Sequence, residues 1–101
     1  MRFLVRISFP TEAGNDAARQ GFPMIPAILE EQKPEAVYFY AENGLRTAMM
    51  IINMDHASEL PRIAEPWFLA LSAEVDAFPV MTPEDLKKAE PDIKAAVKKY
   101  G

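Results

Sequence analysis

There is no cysteine in this chain, so it can form no disulfide, no thiolate metal site and no cysteine nucleophile. Glycine is scarce, at four residues, and none falls in a phosphate-cradling loop, a dinucleotide fingerprint or a G-x-S-x-G elbow. Apolar runs such as Ala48–Ile52 fall far short of the roughly 30 Å of hydrocarbon that a membrane-spanning helix crosses. The start, Met1-Arg2-Phe3-Leu4-Val5-Arg6, places an arginine where a signal peptide would continue its apolar run, so a cytoplasmic location is expected. Basic residues are outnumbered, 11 against 15 acidic ones, and phosphate backbones need the opposite balance. The lysines that do cluster, Lys87, Lys88, Lys94, Lys98 and Lys99, alternate with Glu84, Asp85, Glu90 and Asp92 as on a solvated helix face. With a single histidine and no carboxylates at a recognised ligand spacing, neither a metal nor any other cofactor is expected.

What is present is the material of one domain, 101 residues of which half are apolar. Arg2 to Phe9 alternates with period two and reads as a strand that Pro10 stops. From Thr11 to Lys33 the period becomes helical, with a break near Phe22 imposed by Gly21, Pro23 and Pro26. Ala36–Glu42 and Arg46–Met54 are predicted strands joined by Asn43-Gly44, the strongest short-range signal for a tight hairpin. A second helix is expected from Ser58, with Pro61 in its first turn, a stripe of Leu60, Ile63, Ala64, Trp67, Phe68 and Leu71, and a kink at Pro66. Ala73–Val80 is the fourth predicted strand. Thr82 then caps a last helix with a stripe of Leu86, Ala89, Ile93, Val97 and Tyr100, split at Pro91.

The order β-α-β-β-α-β is that of an α+β, ferredoxin-like domain: a four-stranded antiparallel sheet with its helices on one face. Residues 1–81 make that domain, and residues 82–101 a helical tail packed on it or on a partner. Alternation assigns Phe3, Val5, Ile7, Val37, Phe39, Met49, Ile51, Val75 and Ala77 to the helix side. The other side receives Leu4, Arg6, Ser8, Tyr38, Tyr40, Arg46, Ala48, Met50, Ile52, Glu74, Asp76 and Phe78. That second set is too apolar for open water and too polar for a dry core, and Arg6 can pair across strands with Glu74 or Asp76. Burial against a copy of itself meets both conditions, so a homodimer through this face is expected.

Three segments carry a family likeness: Gly44-Leu45-Arg46-Thr47-Ala48, Glu65-Pro66-Trp67-Phe68, and Pro79-Val80-Met81-Thr82-Pro83-Glu84-Asp85-Leu86. They resemble small uncharacterised proteins of the dimeric α/β-barrel superfamily, muconolactone isomerase-like in fold. The fold resemblance covers about the first four-fifths of the chain. It implies two sheets packed face to face, often with a small-molecule cavity in each protomer. Superfamily members include cofactor-free monooxygenases and many proteins without known activity.

The candidate chemistry is sparse. His56, beside Asp55 at the exit of the third strand, is the natural acid or base near neutral pH, although Asp55 serves equally as a helix cap. Trp67 and Phe68 can line a pocket or simply fill the buried stripe of their helix. Tyr38 and Tyr40 can donate to a ligand or sit in an interface. Arg46, like Arg6, can hold an anion or pair with a neighbouring carboxylate. Two functions follow: binding or conversion of a small organic molecule in a protomer cavity without metal or nucleotide, or a non-catalytic homodimeric interaction module.

Overall fold

Asn43 and Gly44 both adopt left-handed backbone, with φ of 54° and 76°. This is the two-residue turn whose twist matches the strands it joins. It sets Glu42 opposite Leu45 and thereby the whole register between β2 (Ala36–Glu42) and β3 (Leu45–Asn53). The structure is a computed structural model that describes residues 1–101. β1 (Arg2–Ser8) lies between β3 and β4 (Glu74–Pro79), giving an antiparallel sheet in the order β2-β3-β1-β4. Helices α1 (Thr11–Arg19), α2 (Met24–Gln32) and α3 (Leu60–Leu71) connect the strands, and α4 (Pro83–Tyr100) ends the chain. The architecture is the expected ferredoxin-like α+β fold.

The facing of β3 differs from the expectation. Phe3, Val5 and Ile7 pair with Ile52, Met50 and Ala48, so these three β3 residues face the helices and are buried. Met49 and Ile51 turn to the open face instead, opposite Arg6 and Leu4. Arg46 shares the helix side with Ala48, and so leaves the open-face set too. Both faces of β3 are apolar, so its alternation carries no direction; the length of the hairpin loop does. With Glu42 opposite Leu45, Phe39 must pair with Ala48 and Val37 with Met50.

The core gathers Val5, Ile7 and Phe9 of the β1 region, Met50, Ile52 and Met54 of the β3 region, and Ile63, Trp67 and Leu71 of α3. Trp67 is fully buried and stacks on Phe9 at 6.2 Å. Pro66 does not end α3, which runs on through it. A proline at this position has no N–H to offer the carbonyl of Arg62, four residues earlier. The buried Gln32 at the end of α2 supplies the missing donor: its Nε2 reaches the carbonyls of Arg62 at 3.3 Å and Ile63 at 2.9 Å. Its Oε1 accepts from Trp67 Nε1 at 3.2 Å, so one amide satisfies three groups.

The helix does not start at Ser58 as expected: a short 3₁₀ turn, Ala57–Glu59, holds that residue, and α3 begins after it at Leu60. The Glu59 carboxylate accepts from the backbone N–H groups of His56 and Asp55 and from Arg62, and these bonds push its pKa down to about 2. A carboxyl titrating below its ordinary value of about 4.3 stabilises the fold fully above that value, and the contribution is lost as pH falls through the folded pKa. Melting curves between pH 5 and 2 should therefore show an acid-dependent loss that Glu59→Gln makes smaller, the variant being less stable at pH 7. Parallel pH profiles for the two proteins would contradict this.

α4 opens with a reciprocal cap, Thr82 Oγ1 accepting from Asp85 N–H and Asp85 Oδ2 from Thr82 N–H. It continues unbroken through Pro91, contrary to the expected split. The carbonyl this proline orphans belongs to the exposed Lys87, where water replaces the lost donor. None of the α4 residues is buried.

Candidate functional site

Between α1 and α2 the chain reverses through two consecutive left-handed residues, Gly21 at φ 78° and Phe22 at φ 51°. Glycine takes this conformation freely, whereas a phenylalanine there costs about 1–3 kcal/mol, a strain that concentrates at functional sites. The reversal leaves β2, the edge strand, partly uncovered, and Phe39 is 51% exposed although it faces the helix side. The space between is a cavity of about 570 Å³ walled by Phe9, Phe22, Ile25, Pro26, Phe39 and Ala41, with Gly21, Tyr40 and Thr47 at its margins and Arg46 as its one charged residue. Its size and its apolar wall are those of a small-molecule site.

Arg46 is set apart by its partners. Of the five arginines, Arg2 pairs with Glu35, Arg6 with Glu42 and Asp76, Arg19 with Asp16, and Arg62 with Glu59. Arg46 has no carboxylate. Its Nη1 donates to the neutral Asn15 Oδ1 at 2.8 Å, and its guanidinium carbon lies 6.0 Å from the Phe22 ring centroid. Nε and Nη2 make no hydrogen bond. Gly14 of α1 clears the way for this side chain, since a Cβ at that position would stand 3.1 Å from Nη1.

The other candidates are distributed differently. Tyr40 borders the cavity along β2, but its hydroxyl donates to Glu42 Oε1 at 3.0 Å, on the open face. Desolvation and that bond raise the phenol's pKa. Glu42 also meets Arg6, which reaches on to Asp76 and lies over Phe78, so one polar chain crosses the open face. Tyr38 stands exposed on the same face. Trp67 is in the core and Phe68 borders a shallow depression between α3 and β4. His56 is exposed, and Asp55 lies 3.7 Å from the amino terminus. The structure thus brings Arg46 to the cavity, where Tyr40 contributes strand but turns its hydroxyl to the other face, and leaves His56, Asp55, Tyr38, Trp67 and Phe68 outside it. Phe22, Phe39, Asn15 and Gly14 belong to the site without having been singled out. The sequence signal for them was the Gly21–Pro26 break, which marks a bend without saying what the bend uncovers.

No three His, Cys, Asp or Glu side chains converge as a metal site would require, and no helix is long and apolar enough to cross a membrane. No protein of curated function matches the chain in sequence. Among solved structures, the divalent cation tolerance protein (Cut A1) from Thermus thermophilus is similar in fold, with a TM-score of 0.50 over 86% of this chain and 93% of that one. The two are 19% identical, a likeness that speaks to the fold alone. A family model described as a domain of unknown function (DUF3303) matches residues 1–94, past the sheet and well into α4. The chain belongs to the DUF3303 family.

Proposed function

We propose that this protein binds a small organic molecule in the cavity under the α1–α2 reversal, without metal or nucleotide, and does so as a homodimer. The observation that carries the first part is Arg46, a cation without a counter-charge at the wall of an otherwise apolar cavity. Folding had four other arginines to place and gave each a carboxylate. The cavity contains no paired acid and base, so binding is favoured over proton-transfer chemistry. Thermal-shift screening with small aromatic fragments should find stabilising compounds, and Ala41→Trp, which fills the cavity, should abolish their effect. Fragments that stabilise both proteins equally, or none that stabilise either, would defeat the reading.

The homodimer is supported by the open sheet face and by α4. Tyr38, Phe78, Met49 and Ile51 make that face apolar, while Glu42, Glu74 and Asp76 against Arg6 make it acidic. The last turns of α4 are basic, with Lys94, Lys98 and Lys99 and no acid after Asp92. A second copy offers both complements at once, and a muconolactone isomerase-like, face-to-face dimer is the arrangement we favour. Light scattering should give twice 11.3 kDa. Phe78→Glu should lower this to the monomer mass, because a further buried acid beside Glu74 and Asp76 has no partner; an unchanged mass would exclude this face.

A further inference from the structure

The free edge of Arg46 indicates what kind of molecule the cavity accepts. We propose that the ligand is a monocarboxylate with a flat apolar body, its carboxylate taken side-on by Nε and Nη2 of Arg46; this rests on the cavity reading above. A guanidinium offers two parallel N–H donors along that edge, and they match the two oxygens of a carboxylate. Nη1 is already committed to Asn15, which orients the plane of the group and leaves the Nε–Nη2 edge without a protein partner. Phe22, held in left-handed backbone, sets its ring 6.0 Å from the guanidinium carbon, so the cation has an aromatic neighbour on a second side. The Gly14 surface removes the one obstruction that α1 would otherwise present.

The rest of the cavity limits the choice of anion. A phosphate ester brings up to two charges and three strong acceptors, and Arg46 is the only cation on the wall. A carboxylate brings one charge and asks for one bidentate partner. Phe9, Phe22 and Phe39 then face the remainder of the ligand, which favours an aromatic or planar unsaturated body. Gly14 and Asn15 are positioning residues in this arrangement, and Arg46 is the binding one.

Calorimetric titration with benzoate, phenylacetate and cinnamate, each beside its neutral amide, tests the proposal. The acids should bind at least tenfold more tightly than the amides. Arg46→Met should erase that preference, and Arg46→Lys should keep part of it, with the near-ultraviolet dichroism of Trp67 confirming that both variants are folded. Gly14→Ala should weaken the acids several-fold without lowering the melting temperature, because alanine favours helix while its methyl displaces Nη1. Acids and amides bound equally, with both lost in Ala41→Trp, would overturn the carboxylate proposal and leave the cavity reading standing. No binding by any probe at millimolar concentration would overturn both. Unchanged acid binding by Arg46→Met would overturn the role given to Arg46.

Discussion

Cutting the chain after Met81 is expected to yield a folded monomer. α4 buries no side chain on its own domain, so the sheet and its three covering helices keep their contacts without it. It stands out from the body: the chain measures 57 × 28 × 20 Å, with a radius of gyration of 17.0 Å. A compact domain of this length has a radius of gyration near 13 Å. A helix of eighteen residues spans about 27 Å, enough to account for the elongation. Its stripe of Leu86, Ile93, Val97 and Tyr100 is exposed, Val97 to 62% and Tyr100 to 80%. Most of a helix's stability in a protein comes from packing its apolar face, so the stripe needs cover, and in the proposed dimer it comes from the second copy. The truncated protein should retain the near-ultraviolet signal of Trp67 while light scattering reports the monomer. A truncated protein that still dimerises would show that α4 is no part of the contact. One that fails to fold would show that α4 packs on its own domain.

Gln32→Leu is expected to be a costly single change in the core. It removes the donor from the partly buried Arg62 carbonyl and the acceptor from the buried Trp67 Nε1. A buried polar group left unpaired costs about 1–3 kcal/mol, so the two together should lower stability by about 3 kcal/mol or more. For a domain of this size that is a fall in melting temperature of roughly 10–20 °C. The origin of the effect can be isolated, because one of the orphaned carbonyls exists only on account of Pro66. In a Pro66→Ala background the residue-66 N–H returns to the Arg62 carbonyl, and Gln32→Leu should then cost about 1 kcal/mol less. Chemical denaturation followed by Trp67 fluorescence measures all four proteins. Equal losses in the two backgrounds would separate Gln32 from the proline.

Much of this molecule was legible residue by residue. The break at Gly21–Pro26, the Asn43-Gly44 turn and the Thr82 cap are short-range features whose physics is contained within a few neighbours. The pairing of Arg6 with Asp76 followed from β1 lying beside β4. The direction of β3 was legible as well, but through the turn: one count across two residues places Phe39 opposite Ala48 and outweighs any reading of Met49 or Ile51 by apolarity. Gln32 gave no such sign. A glutamine near a helix end reads as surface, and its burial is explained only by a proline 34 positions later whose helix packs against it.

The sequence by itself determined the order of elements, the hairpin turn, the Thr82 start of the last helix and the absence of disulfide and thiolate chemistry, because each depends on local dihedral preference or on composition. Tertiary structure decided where space is left over. Phe39 reads as a buried strand residue, and Arg46 as one more charge able to pair. Only the packing of α1 and α2 shows that they stop short of β2, leaving Phe39 in a cavity and Arg46 beside a neutral asparagine. A void is set by the difference between many packed volumes, and an unpaired charge by the distance to every carboxylate in the fold. Neither quantity is carried by any one segment of the chain.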